Sequence, residues 1–98
     1  ISAFGGIFPT VMPNAVDGTL DVKSMNAIIP TFDDPHIAAI KGISIETPIA
    51  HLGGRVLRHD YIKQVRAVAD HHNVMLHIDG ARSWNAAVAS NLDMKTYL

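Results

Sequence analysis

The sequence predicts an α/β fold, a mostly parallel sheet with flanking helices. Three observations carry this. Ile37 to Glu46 and Val74 to Ile78 are near-continuous apolar runs, as in strands covered on both faces. Between them lies a segment whose apolar residues recur at helical spacing. Strand, helix, strand in that order is expected to form a right-handed βαβ unit.

The elements follow in order. Val11-Met12-Pro13 reads as a short extended stretch, and Asp17-Gly18 as a turn. Thr19-Leu20-Asp21 then opens a helix. Asp21 is placed to cap it, and Val22, Met25, Ile28 and Ile29 mark its apolar face. Pro30 is expected to stop it, lacking an amide and clashing with the preceding turn. Thr31 to His36 reads as a polar loop before the first strand. Thr47 to Gly54 is the loop after it, with Gly53-Gly54 suited to positive backbone angles. The strongest helix begins at His59-Asp60. Tyr61, Ile62, Val65, Val68 and Ala69 form its buried face, while Lys63, Arg66 and Asp70 face water. Asn73 suits a left-handed cap at its end. After the second strand, Asp79 to Arg82 is a turn. Ser83 to Ser90 is a helix, with Trp84 expected to pack it onto the sheet and Asn91 to stop it.

Composition narrows the function classes. Hydrophobic residues make up 48%, which fits a packed chain rather than a disordered one. The formal net charge is -1, and no basic stripe forms to draw in nucleic acid or an anionic membrane. No apolar run approaches the roughly 20 residues of a membrane span. Absence of cysteine excludes disulfides and thiolate metal sites and favours a cytoplasmic setting. The chain opens at Ile1 without a signal-like segment and stops at Leu98 as a new amphipathic segment begins, so residues 1–98 read as a single fragment of a larger domain.

Ligands of parallel α/β sheets sit outside the carboxyl ends of the strands. Two loops qualify, Glu46 to Gly54 and Asp79 to Arg82. A carboxylate at position 79, directly after a buried strand, calls for compensation. It either faces a cation such as a protonated pyridine nitrogen or caps the following helix. Gly80 and Ala81 are small enough for a flat ring to approach, or for the turn to be tight. Arg82 suits two parallel hydrogen bonds to a substrate carboxylate, or an ion pair with Asp79. Of the six histidines, His71 and His72 diverge at a helix end. His77 lies on the opposite strand face from Leu76 and Ile78. None has a metal-ligand spacing.

The stretch Leu76-His77-Ile78-Asp79-Gly80-Ala81-Arg82, followed by Asn85-Ala86-Ala87-Val88-Ala89, resembles the cofactor-binding segment of the threonine aldolases. Gly53-Gly54-Arg55-Val56-Leu57 is similar to that family's loop before its long helix, and Tyr61 to Asp70 to the helix itself. Pro13-Asn14 with Asp17 to Asp21 resembles the segment ahead of the first helix. The similarity covers almost the whole chain in order. It implies a piece of the large, pyridoxal 5'-phosphate-binding domain of the aspartate-aminotransferase-like fold. Asp79 would hold the pyridine nitrogen, Gly80 and Ala81 would border the cofactor, and Arg82 would bind the amino acid's carboxylate. The implied reaction is retro-aldol cleavage of a β-hydroxy-α-amino acid to glycine and an aldehyde. The implied partners are that small amino acid and further copies of the chain, as a dimer or tetramer.

Two departures accompany the resemblance. The lysine that bonds to the cofactor follows the Asp-Gly-Ala-Arg motif in the family, and none of Lys23, Lys41, Lys63 or Lys95 fits it. A fragment without it is expected to be inactive. The first strand-end loop commonly reads glutamate, asparagine, threonine, histidine. Here it reads Glu46-Thr47-Pro48-Ile49, with Ile49 in the histidine's place and His51 two residues on. His51 either substitutes for that histidine or faces solvent. Another lyase of the same fold and a noncatalytic scaffold are the rival readings.

Overall fold

The computed structural model describes residues 2–29 and 35–98. In chain order these form α1 (Ser2–Gly5), α2 (Val22–Ile28), β1 (Gly42–Glu46), a 3-10 turn (Ala50–Leu52), α3 (His59–His71), β2 (Met75–Asp79), α4 (Ser83–Ala89) and α5 (Met94–Tyr97). The one-turn helix α1 has no apolar periodicity in its sequence that would announce it.

Helix α3 organises the core. Tyr61, Ile62, Val65, Val68 and Ala69 are all buried, matching the face predicted from periodicity. Val65 and Ala69 lose all solvent contact. On the outer face Arg66 pairs with Asp70 at 2.7 Å. The helix closes as expected through Asn73, at φ 53. Val74 donates its amide back to the Ala69 carbonyl and so belongs to the helix end, not to the next strand.

Helix α2 starts at Val22 because Asp21 caps it, accepting from the Ser24 amide at 2.9 Å. Met25 and Ile29 are buried, but Ile28 is 40% exposed and falls outside the expected apolar face. The turn at Asp17-Gly18 is present, and Leu20 is fixed to α3 by the Tyr61 hydroxyl. That hydroxyl accepts from the Leu20 amide at 2.8 Å and donates to its carbonyl at 3.0 Å. The Pro30 stop and positions 31–34 of the predicted loop lie outside the described residues.

Strands β1 and β2 pair in parallel, from Gly42 opposite Met75 to Glu46 opposite Asp79. The first strand is shorter than the Ile37 to Glu46 run. Positions 37–41 stay outside it because β2 offers only five residues to pair with, and the ladder starts where the Met75 amide meets the Lys41 carbonyl. The second strand is displaced one residue onward, to include Asp79. Coverage on both faces is not what the described residues show. Ile43, Ile45, Leu76 and Ile78 turn toward the core, whereas Ser44, Met75, His77 and Asp79 lie exposed on the other face. His77 keeps a partner there, its Nδ1 lying 3.0 Å from the Ser44 hydroxyl.

Helix α4 ends one residue earlier than expected, and Asn91 follows at φ 54. It packs through Ser83, Ala86 and Ala87, so Trp84, expected against the sheet, is 72% exposed. Small residues at i, i+3 and i+4 let the helix approach closely and turn the large ring outward. The closing amphipathic segment forms the short helix α5, with Asp93 capping it.

Candidate active site

Parallel pairing brings both predicted loops to one end of the sheet. The Thr47 amide donates to the Asp79 carbonyl at 3.1 Å, so the loops leave their strands side by side. Asp79 is the last residue of β2, not the first after it, and it is exposed among the described residues. The desolvated carboxylate expected from sequence is therefore not present within this chain. Its Oδ1 accepts one long bond, 3.3 Å, from the Ala81 amide. It does not cap α4: Ser83 opens that helix by donating its amide and hydroxyl to the Gly80 carbonyl, at 2.9 and 2.7 Å. Nor does it pair with Arg82; the ion pairs among the described residues are Arg58–Asp60 and Arg66–Asp70. Both alternative uses of Asp79 read from spacing, helix cap and ion pair, are thus unmet.

Glu46 stands directly opposite Asp79 in the ladder. Like charges placed opposite each other on neighbouring strands repel. One Glu46 oxygen is occupied by the Ala50 amide at 3.0 Å. The strand end therefore offers two carboxylates and a guanidinium, Arg82, that bonds to neither. An acceptor-only carboxylate with spare lone pairs beside a second one fits a ring N–H that carries positive charge. Pyridoxal phosphate has such a ring, and these residues fit that end of it.

Gly80 is explained locally. A Cβ there would lie 3.0 Å from Ser83 Oγ and 3.2 Å from its Cβ, so a larger residue would press on Ser83 and the turn alone favours a small one. Ala81 and Arg82 are exposed beside it.

The loop after β1 is firmly built. Ile49 and Arg55 form an antiparallel bridge, with the Ile49 amide donating to the Arg55 carbonyl at 2.8 Å. Gly53 at φ 69 and Gly54 at φ 78 turn the chain between them, as their pairing predicted. Ile49 is 3% exposed and packs into the core beside Gly18. His51 sits on the 3-10 turn, exposed, and no hydrogen bond joins it to Asp79 or Arg82 among the described residues.

Three residues given no site role from sequence hold this loop from below. Thr47, Leu57 and Tyr97 are 0%, 2% and 0% exposed and joined by hydrogen bonds. Burial pushes the Tyr97 phenol above its ordinary value of 10.0, and the bond to Thr47 opposes that shift. A tyrosine on the apolar side of a capped helix and a threonine directly after a strand were the available signals.

The fold and site define a class: an α/β chain that gathers acidic and basic side chains at the carboxyl ends of parallel strands. Comparison with known proteins makes this specific. The beta-eliminating lyase family matches residues 1–98, and the chain belongs to that family. It is 39% identical over 93 residues to a low-specificity L-threonine aldolase of Arabidopsis thaliana, covering 91% of this chain and 25% of that protein. It is 36% identical over 94 residues to the low specificity L-threonine aldolase of Escherichia coli K12, covering 96% of this chain and 27% of that protein. The chain thus spans about a quarter of the length of the curated relatives it matches. No helix among the described residues is long and apolar enough to cross a membrane.

Proposed function

We propose that the full-length protein containing this chain uses pyridoxal 5'-phosphate to cleave a β-hydroxy-α-amino acid, threonine or allo-threonine, to glycine and an aldehyde. The observation that supports this best is the exposed Asp79 carboxylate, left uncapped and unpaired at a doubled strand end in a chain of this family. Asp79 would accept the ring N–H and, by its opposite charge, would keep the proton there. Glu46 deepens the negative potential at the same end. When bound, the cofactor draws electrons away from the α-carbon of the amino acid. Arg82 holds the amino acid's carboxylate by two parallel hydrogen bonds. His51 is the one histidine between β1 and α3, and it takes the proton of the substrate hydroxyl. The protein works as a homo-oligomer in the cytoplasm, on a free small amino acid, with no nucleic acid or membrane partner.

Ile49 carries a second reading. An apolar residue buried where relatives commonly place a histidine favours a different leaving group, as in β-elimination. Incubating the full-length protein with threonine decides: glycine with an aldehyde supports the aldolase, whereas a keto acid with ammonia supports elimination. Asp79→Asn in that protein should lower kcat by about 100-fold or more, the scale for removing one group that stabilises developing charge. Near-normal turnover would remove Asp79 from the mechanism.

A further inference from the structure

We infer that Thr47, Leu57 and Tyr97 form a closed hydrogen-bond ring that sets the strand-end loops, making Tyr97 a positioning residue for Asp79. This rests on the cofactor reading above, and it comes from proton counting. The Tyr97 hydroxyl has one proton, and a carbonyl can only accept, so the 2.8 Å bond to the Leu57 carbonyl uses that proton. The 2.7 Å contact between Tyr97 and Thr47 must then be donated by the Thr47 hydroxyl. Thr47 Oγ1 in turn accepts from the Leu57 amide at 3.2 Å. The circuit runs from Leu57 N–H to Thr47, to Tyr97, and back to the Leu57 carbonyl, with every donor satisfied in one direction.

The ring joins three distant segments: the loop after β1, the stretch leading into α3, and α5. Its bonds span sequence separations of 10, 40 and 50 residues. Thr47 and Tyr97 are 0% exposed, so bulk water does not reach the intact ring. No buried side-chain polar atom among the described residues lacks a partner. Bonds in one direction around a buried circuit polarise one another, so removing any one weakens the others. Thr47 passes the effect on. Its side chain is in the ring, while its backbone amide holds the Asp79 carbonyl at 3.1 Å. The ring therefore sets where β2 ends and where the Asp79 carboxylate starts. Arg82 is outside it.

The test uses the full-length protein stripped of cofactor, titrated with pyridoxal phosphate, then assayed. Tyr97→Phe and Thr47→Ala should each raise the pyridoxal phosphate Kd by about tenfold, the scale of one net hydrogen bond. The double variant should be no worse than either single, since one break opens the whole circuit. Thr47→Ser should restore the original Kd. In the loaded protein kcat should fall while KM for the amino acid stays within about twofold, because Arg82 is untouched. Should Tyr97→Phe fail to fold, the Thr47→Ala and Thr47→Ser pair, which leaves aromatic packing intact, gives the same comparison. Unchanged Kd in folded variants whose melting temperature alone has dropped would overturn the positioning role. Failure of the unsubstituted protein to bind pyridoxal phosphate would overturn the cofactor reading and this inference with it.

Discussion

Gly18→Ala should destabilise the protein far more than its place in an exposed-looking turn suggests. Gly18 has φ 87, in the left-handed region, and an added Cβ would lie 2.5 Å from Ile49 Cδ1 and 3.4 Å from Leu52 Cδ1. Carbon atoms rest comfortably at about 3.5 to 4.0 Å, so Ile49 must retreat by about 1 Å. It is 3% exposed and has little room to do so. The left-handed conformation costs a residue with a Cβ about 1–2 kcal/mol. Overpacking adds about 1–3 kcal/mol, for a midrange total of about 3.5 kcal/mol. Gly53 is the control: its φ is 69, but nothing lies within 4 Å of a Cβ, so Gly53→Ala should show only the conformational part. Ile49→Val removes the clashing Cδ1 itself. Alone it should cost about 0.5–1.5 kcal/mol. Combined with Gly18→Ala it should return about 1–2 kcal/mol of coupling. The measurement is urea unfolding of the cofactor-free full-length protein, comparing midpoints at common slope. If Gly18→Ala costs no more than Gly53→Ala, or if Ile49→Val fails to soften it, the packing account of this loop is wrong.

Three further outcomes follow from the hydrogen bonds and the shifted ionisations. Tyr61→Phe strands both the amide and the carbonyl of Leu20 and should cost about 1–3 kcal/mol in the same unfolding assay. Burial raises the Tyr61 and Tyr97 phenols above 10.0, so the stability they contribute is complete below that pH and is lost as pH climbs beyond it; the Phe variants should flatten that alkaline decline. Asp17, Asp21 and Asp93 are held below 3.8, chiefly by bonds from Thr19, Ser24 and Thr96 respectively. Their contribution is complete above 3.8 and fades as pH falls through the lowered values. Replacing all three with Asn, which also caps and turns well, should leave neutral stability nearly unchanged and make the acid limb shallower.

What could be read from sequence depended on how far apart the interacting residues lie. Helix α3 was fully legible because its five core residues obey one local period and all five are buried. The adjacency of the two strand-end loops was legible as well, since a helix between two apolar runs favours a parallel pair with both carboxyl ends together. Strand limits were not. An unbroken apolar run does not say where its partner begins, and positions 37–41 fell outside the ladder for that reason. Trp84 was misplaced because α4 has only Ser83 and Asn85 as polar residues, too few to declare the helix's phase. Tyr97 was missed because its bonds to Thr47 and Leu57 are set by tertiary packing alone.

The departure at positions 47–49 gains a physical meaning from this geometry. Thr47 and Ile49 both turn inward, one into the buried ring and one into the core, and Pro48 between them is buried too. A segment with all three residues inside has no side chain left to present to a substrate. Any polar chemistry from this loop must come from Glu46 before it or from the exposed turn after it, where His51 and Arg55 are the ionisable residues. Glu46 has already committed one oxygen to the Ala50 amide, which fixes the start of that turn. The inward triplet is therefore an anchor, and it makes a sharp demand on the aldolase reading. If Glu46→Gln, His51→Gln and Arg55→Gln in the full-length protein each leave threonine cleavage intact, the hydroxyl proton is handled from outside this loop.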